Sequence, residues 1–334
     1  MKLFLKLKSL QFEARILRPR ILGPRLIGRG KRGFVFHIYE QFPQFFAPSS
    51  IYLFLFALIL SEKPVDTVFT IVKANTFQDT VKARTVFPVE IALVSFSLAQ
   101  GITNVYSSLI DIERVNPGNA FNAKLLSETT GLPLPGSCHF RVHHRDYHSV
   151  AGEIIKIVEK YDLPGSRTRT ILFGMNNDLE EASDAIKWLA DHCDGDQILQ
   201  DGLMKIEFLD LSRLFNRVAR FVHLKQKSYN PPTVQFNLVA VAEKQLNRSV
   251  RFNFRSEITC LYHSRIASEF MNMCAQNYCI QRVFTILDEF LEPLSIRREN
   301  GHYLSNFHLN LPSHKHVPSQ NVASSSVTFQ KEET

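Results

Sequence analysis

The sequence predicts an α/β fold, a mixed β-sheet flanked by helices, on three observations. Residues 87–112 read as a β-hairpin, and residues 153–224 alternate helix-like with strand-like segments. The third is apolar content: 45% of the 334 residues, enough to bury a single core of roughly 200–250 residues.

In chain order, residues 68–77 (VFTIVKANTF) form the candidate first strand. In the hairpin, Ile91, Leu93, Phe96 and Leu98 precede a turn at Gln100-Gly101, and Ile102, Val105, Tyr106 and Leu109 follow it. Apolar and β-branched side chains at this density suit two central strands. Glu90 stands just after Pro88, at the first strand's entrance, where an acid either faces solvent or reaches a site at the sheet's edge. Residues 113–149 read as irregular and loop-rich. Residues 153–161 are helix-like and 170–175 (TILFGM) a buried strand. Residues 178–193 form an amphipathic helix with Leu179, Ala182, Ile186 and Leu189 on one face and acids in the first turn, where the helix dipole favours them. Residues 205–211 (KIEFLDL) are a further strand, residues 212–224 a basic amphipathic helix, and Asn230-Pro231-Pro232 a break before a helical stretch over 234–246. Residues 252–291 open strand-like and continue as a helix. No repeat of 20–50 residues is present, and the tail from Ser305, rich in Ser, His, Asn and Pro, has the composition of a disordered segment.

Charge is unevenly placed. The net charge is +7, yet residues 1–32 carry ten Lys and Arg against Glu13, a sum of +9, so the remainder sums to 7 − 9 = −2. The basic character belongs to an N-terminal arm, which is either solvated or binds an RNA or DNA backbone. Scarce serine argues against a transit peptide. The apolar run 51–60 (IYLFLFALIL) falls short of the roughly 20 residues of a membrane-spanning helix. It reads as a buried helix or strand, or an interfacial segment, and the long basic stretch before it is no signal-peptide n-region. Five cysteines (Cys138, Cys193, Cys260, Cys274, Cys279), odd in number and without framework spacing, fit a reduced, intracellular compartment.

Two groups of residues suggest metal chemistry. Cys260, His263 and Cys274 stand in the order C-x2-H-x10-C, and the C-x2-H spacing lets a sulfur and an imidazole turn toward one tetrahedral cation. Cys279, five residues past Cys274, points away on a helix, so a fourth ligand comes from elsewhere or the thiols are buried and inert. The second group is Cys138, His139, His143, His144 and His148; His144 and His148 have the i, i+4 spacing of helical zinc ligands without a third fixed group.

Taken together, PVEIALVSFSLAQG (88–101), SSLIDIERVNPGNAF and CLYH…CAQNYC resemble the Maelstrom domain, an animal germline silencing family with an RNase H-like, exonuclease-related fold. The resemblance covers roughly residues 68–295. It implies three regions: an arm over 1–67, the domain over 68–300 and a disordered tail over 301–334. It also implies structural zinc held by Glu90, Cys260, His263 and Cys274, joining the hairpin to the last helix, with Cys279 as the alternative last ligand because the gap after His263 is about three residues longer than the family's. Members commonly carry a DNA-binding HMG box ahead of the domain; only residues 33–46 (GFVFHIYEQFPQFF) resemble its opening, so a folded box and DNA binding are not expected.

Exonucleases of this fold hold two metal ions on four carboxylates. The D-x-E pair belongs on the first strand, where this chain has Lys73 and Asn75; Asp178 and Asp210 fall near two other acidic positions. The expectation is therefore a pseudo-nuclease with no catalytic residues of the two-metal kind. The resemblance implies single-stranded RNA and small-RNA pathway proteins as partners, a role in piRNA-mediated transposon silencing in the germline, and residence in cytoplasmic germ granules and the nucleus. Arg213, Arg217 and Arg220 on the basic helix, with Arg251 and Arg255 beside the zinc segment, are the candidate RNA contacts. The alternatives are a metal-independent single-strand RNA endonuclease and a purely protein-binding scaffold.

Overall fold

The computed structural model describes residues 65–78, 86–112, 115, 117–137, 145–160, 170–226, 228, 239–248, 256–299 and 301–302. The basic arm, the resemblance to an HMG-box opening, the apolar run 51–60, the Asn230-Pro231-Pro232 break and the tail from Ser305 lie outside these residues.

Five strands form one mixed sheet. They are β1 (Phe69–Gln78), β2 (Val86–Ser97), β3 (Gly101–Leu109), β4 (Ile171–Gly174) and β5 (Glu207–Asp210), in the order β3-β2-β1-β4-β5. The three long strands pair antiparallel, while β4 runs parallel to β1 and β5 parallel to β4. The described helices are α1 (Ala120–Thr130), α2 (Tyr147–Glu159), α3 (Leu179–Asp191), α4 (Gln197–Met204), α5 (Leu211–Lys225), α6 (Val239–Leu246) and α7 (Ala275–Phe290).

Side chains alternate across a strand, so each strand feeds two cores. Phe69 and Ile71 of β1, Ala92, Val94 and Phe96 of β2, and Ile171 and Phe173 of β4 face α5, α6 and α7. Their neighbours Val72 and Ala74, Ile91 and Leu93, and Leu172 face α2 and α3. Phe69 sits at the centre of the first core, its ring 5.7 Å from Phe96 and 5.9 Å from Phe173. Each such aromatic contributes roughly 2–3 kcal/mol by leaving water. The continuous apolar runs of β2 and β4 follow from burial on both faces.

Three expectations need correction. The stretch 113–149 is not loop throughout: α1 occupies its middle, ended by Gly131 in the left-handed region (φ 72°), and α2 begins at Tyr147. Helix α4 lies between the amphipathic helix and β5, where no element was expected. Residues 256–273 form three short 3-10 turns, so the metal-ligand segment is neither strand nor helix until α7 begins.

Candidate metal centre

Glu90 reaches its position through a bulge. Asn75 pairs with Glu90, but the next residue, Thr76, pairs with Pro88, which leaves Val89 as an extra residue on β2. Proline lacks the N–H a central strand needs and is confined to such irregularities; a bulge re-aims the side chains beside it. The result departs from the sequence expectation of a strand-end acid at the sheet's edge. Glu90 lies inside β2, flanked by both β1 and β3, and is fully buried on the face that carries α7.

The other three groups come from the irregular segment before α7. Its backbone lacks regular partners, and amides from the first turn of α7 supply them. Gln276 Nε2 donates to the carbonyls of Ile258 and Thr259, and Asn277 Nδ2 donates to that of Met271. Cys274 is the N-cap of α7, and the Ala275 N–H donates to Glu90 Oε2 at 3.1 Å. A carboxylate at a helix N-terminus satisfies an orphan donor and suits the dipole.

Glu90, Cys260, His263 and Cys274 thus converge, all buried, with their ligand atoms within 4.8 Å of one another. Cys260 Sγ lies 3.1 Å from His263 Nδ1, Glu90 Oε1 lies 3.5 Å from the same nitrogen, and Cys274 Sγ lies 3.6 Å from Glu90 Oε1. Tetrahedral ligands at zinc-like bond lengths stand about 3.4–3.8 Å apart, so the separations fit.

The surrounding bonds leave the inward atoms open. His263 Nε2 is 3.0 Å from the Thr130 carbonyl at the end of α1, which assigns that nitrogen the proton and leaves Nδ1 a lone pair. Tyr262 donates from its hydroxyl to the Gly131 carbonyl and sets its ring edge-on to the imidazole. Glu90 Oε2 accepts from Asn75 Nδ2 at 2.6 Å, leaving Oε1 toward the other ligands. Four buried groups of this chemistry could hold a metal ion.

The four buried groups perturb one another's titration. Burial pushes Glu90 up to about 7, reinforced by the nearby Cys260 sulfur. The hydrogen bond from Cys274 draws Cys260 down to about 4, against the opposing effect of burial, with His263 helping. Burial alone would lower the His263 value, but its bond to Cys260 and the charges of Glu90 and Cys260 raise it. Cys274 is pushed well above an ordinary thiol, chiefly by burial.

Cys279 points elsewhere: buried in α7, it faces the Ala92 carbonyl at 3.9 Å. Of the histidine group only His148 lies among the described residues. His148 lies 3.3 Å from the Asp194 carbonyl, and His144 falls outside them, as do Cys138, His139 and His143.

On β1, Lys73 Nζ stands 2.8 Å from Asp178 Oδ1 and 3.6 Å from Glu181. Asp178 also accepts from the Tyr278 hydroxyl at 2.5 Å, and Arg282 stacks 3.4 Å from the Tyr278 ring. Asp210 is a helix cap, accepting from the Ser212 N–H at the start of α5. Both acids are largely buried and engaged in structural bonds. Arg213, on α5, is exposed, with Arg217 and Arg220 half-buried; Arg251 and Arg255 lie outside the described residues.

Sequence reasoning missed Asn75, Thr130, Gln276 and Asn277. No spacing in the sequence points to them, because the register of β1 on β2 is what sets Asn75 opposite Glu90.

A family model described as Maelstrom, piRNA pathway germ-plasm component, matches residues 80–321. This chain belongs to the Maelstrom family. Protein maelstrom of Drosophila melanogaster is 24% identical over 257 residues, covering 75% of this chain and 49% of that protein. Protein maelstrom 1 of Drosophila ananassae is 22% identical over 249 residues, covering 72% and 54%. The chain therefore spans about half the length of the curated relatives it matches. A crystal structure of a full-length 3'-exonuclease overlaps 70% of this chain and 88% of its own at 8% identity, with a TM-score of 0.33, a likeness too loose to inform function.

Proposed function

We propose that this chain is a zinc-stabilised pseudo-nuclease that binds single-stranded RNA and serves small-RNA-guided transposon silencing in the germline. Membership of a family described as a piRNA pathway germ-plasm component supports the pathway. The observation that carries the pseudo-nuclease reading is Lys73. Two-metal hydrolysis needs carboxylates at the first strand; here an ammonium ion paired to Asp178 stands on that strand instead. The sheet order β3-β2-β1-β4-β5 supports reading the fold as RNase H-like.

Zinc is the ion that suits two thiolates, an imidazole and a single carboxylate oxygen; magnesium prefers oxygen throughout. Four protein ligands fill a tetrahedral shell, as in structural sites, so its role is to tie β2, the end of α1 and α7 together. Structural zinc contributes several kcal/mol to folding.

Arg213, Arg217 and Arg220 recur at i, i+4 and i+7 on α5 and so share a face, which with Arg251 and Arg255 would contact an RNA backbone. The folding unit we assign to this role is residues 68–300, with the arm and tail outside it. Its partners would be RNA and proteins of the silencing pathway, in cytoplasmic germ granules and the nucleus.

Filter binding of an unstructured RNA across a salt series tests the RNA reading. Affinity should fall steeply with salt, with a log–log slope of about −0.7 for each phosphate neutralised. Replacing Arg213, Arg217 and Arg220 together should flatten that slope. Salt-independent affinity, or a slope that the triple variant leaves unaltered, overturns it.

A further inference from the structure

Asn75 stands where two strands and the last helix meet the metal centre. Its side chain is buried on β1, directly across the ladder from Glu90 and beside the bulge at Val89. The amide nitrogen donates twice: to Glu90 Oε2 at 2.6 Å and to the Met273 carbonyl, the residue before Cys274, at 2.8 Å. Both its hydrogens are therefore committed. One fixes a ligand directly, and the other fixes the backbone that carries a second ligand.

The consequence for Glu90 is a division of labour between its oxygens. Oε2 receives the Asn75 amide and the Ala275 N–H, whereas Oε1 faces His263 Nδ1 and Cys274 Sγ. A carboxylate that is free to rotate binds a cation through one oxygen or both. A carboxylate whose second oxygen accepts two hydrogen bonds has that oxygen engaged elsewhere. An aspartate at position 75 would reverse the effect, since it has no hydrogens to donate and would set a like charge against Glu90 in a buried site.

We propose that Asn75 is a positioning residue for the metal centre: it makes Glu90 a one-oxygen ligand and sets the approach of Cys274, so that the ion is held by four atoms and not five. This rests on the reading of Glu90, Cys260, His263 and Cys274 as metal ligands. Outer-shell hydrogen bonds of this kind are worth roughly 10–100-fold in metal affinity.

The test is cobalt(II) titration of the full-length chain, wild type and Asn75→Leu, read by chelator competition and by visible absorption. Four-coordinate cobalt gives intense d–d bands, five-coordinate cobalt weaker ones, and thiolate ligands add a charge-transfer band in either case. In wild type we expect strong d–d bands with the thiolate band. In Asn75→Leu we expect the thiolate band to persist, the d–d bands to lose intensity and cobalt to bind about 10–100-fold more weakly. Wild-type intensity and affinity in Asn75→Leu overturn the proposal. Should that variant fail to fold, Asn75→Ala, which adds no bulk, carries the same readouts and the same refuting result. A Glu90→Ala background isolates the action through Glu90: there Asn75→Leu should not change the d–d intensity further, and a second, equal loss of intensity overturns the one-oxygen role given to Glu90 through Asn75. If wild type shows no thiolate band at all, the metal-ligand reading itself fails, an outcome distinct from failure of the role given to Asn75.

Discussion

Replacing Glu90 by glutamine should change stability in opposite directions with and without metal. In the metal-free protein the carboxyl is fully buried, and burial raises it from 4.5 to about 7. The folded state therefore holds a proton that the unfolded chain has lost between those values. Glu90's contribution to stability is greatest below about pH 4.5, falls as pH rises through the window, and levels off above about 7. The difference corresponds to about 3 kcal/mol. Glutamine carries no charge to bury, and its carbonyl can still accept from Asn75 and Ala275. In excess chelator at pH 8, Glu90→Gln should thus melt higher than wild type, by several degrees at about 2–4 °C per kcal/mol. With zinc present the sign reverses, because the variant loses an anionic ligand and with it part of the stabilisation that bound metal supplies. Thermal melts followed by circular dichroism, at pH 5 and pH 8 and with or without chelator, give the four numbers. The chelator-treated gain should vanish at pH 5. A Glu90→Gln variant that melts lower than wild type in chelator at pH 8 refutes the buried-charge argument. One that matches wild type in zinc refutes the ligand role.

Further outcomes follow from the same geometry. Cys260→Ser should release about one metal ion and lower the melting temperature, whereas Cys279→Ser, buried against Ala92 and outside the group, should keep the metal content of wild type; metal analysis of both purified variants distinguishes them. Burial pushes Glu90 up to about 7 and Cys274 well above an ordinary thiol, so metal uptake at pH 6 should expel at least one proton and affinity should fall on acidification. Calorimetry in buffers of different ionisation enthalpy counts the protons, and release of fewer than one contradicts this assignment. Gly131→Ala should cost about 2–4 kcal/mol by denaturant titration, because Gly131 has φ 72° and a Cβ there would lie 2.6 Å from the Phe270 ring. It would also shift the Thr130 carbonyl that fixes His263, so zinc should bind more weakly in the same variant.

What the sequence determined by itself is what local pattern encodes. The hairpin is legible because apolar residues fill two strands around Gln100-Gly101, and α3 and α5 because apolar side chains recur at helical spacing. Cys260 and His263 announce themselves through short spacing. The resemblance to the Maelstrom domain added Glu90, which nothing local to residue 90 singles out as a ligand. Only the tertiary structure decided the rest. The antiparallel register with one extra residue at Val89 brings Glu90 opposite Asn75 and buries it inside the sheet instead of at an edge. Contacts that span 133 to 198 residues, from Thr130 to His263 and from Asn75 to Met273, cannot be read from spacing at all. Residues 256–273 fold as 3-10 turns because partners from α7 and the sheet satisfy their backbone. Local propensity carries no record of groups so distant in the chain, and chain closure over such lengths is determined by the packing of the whole sheet.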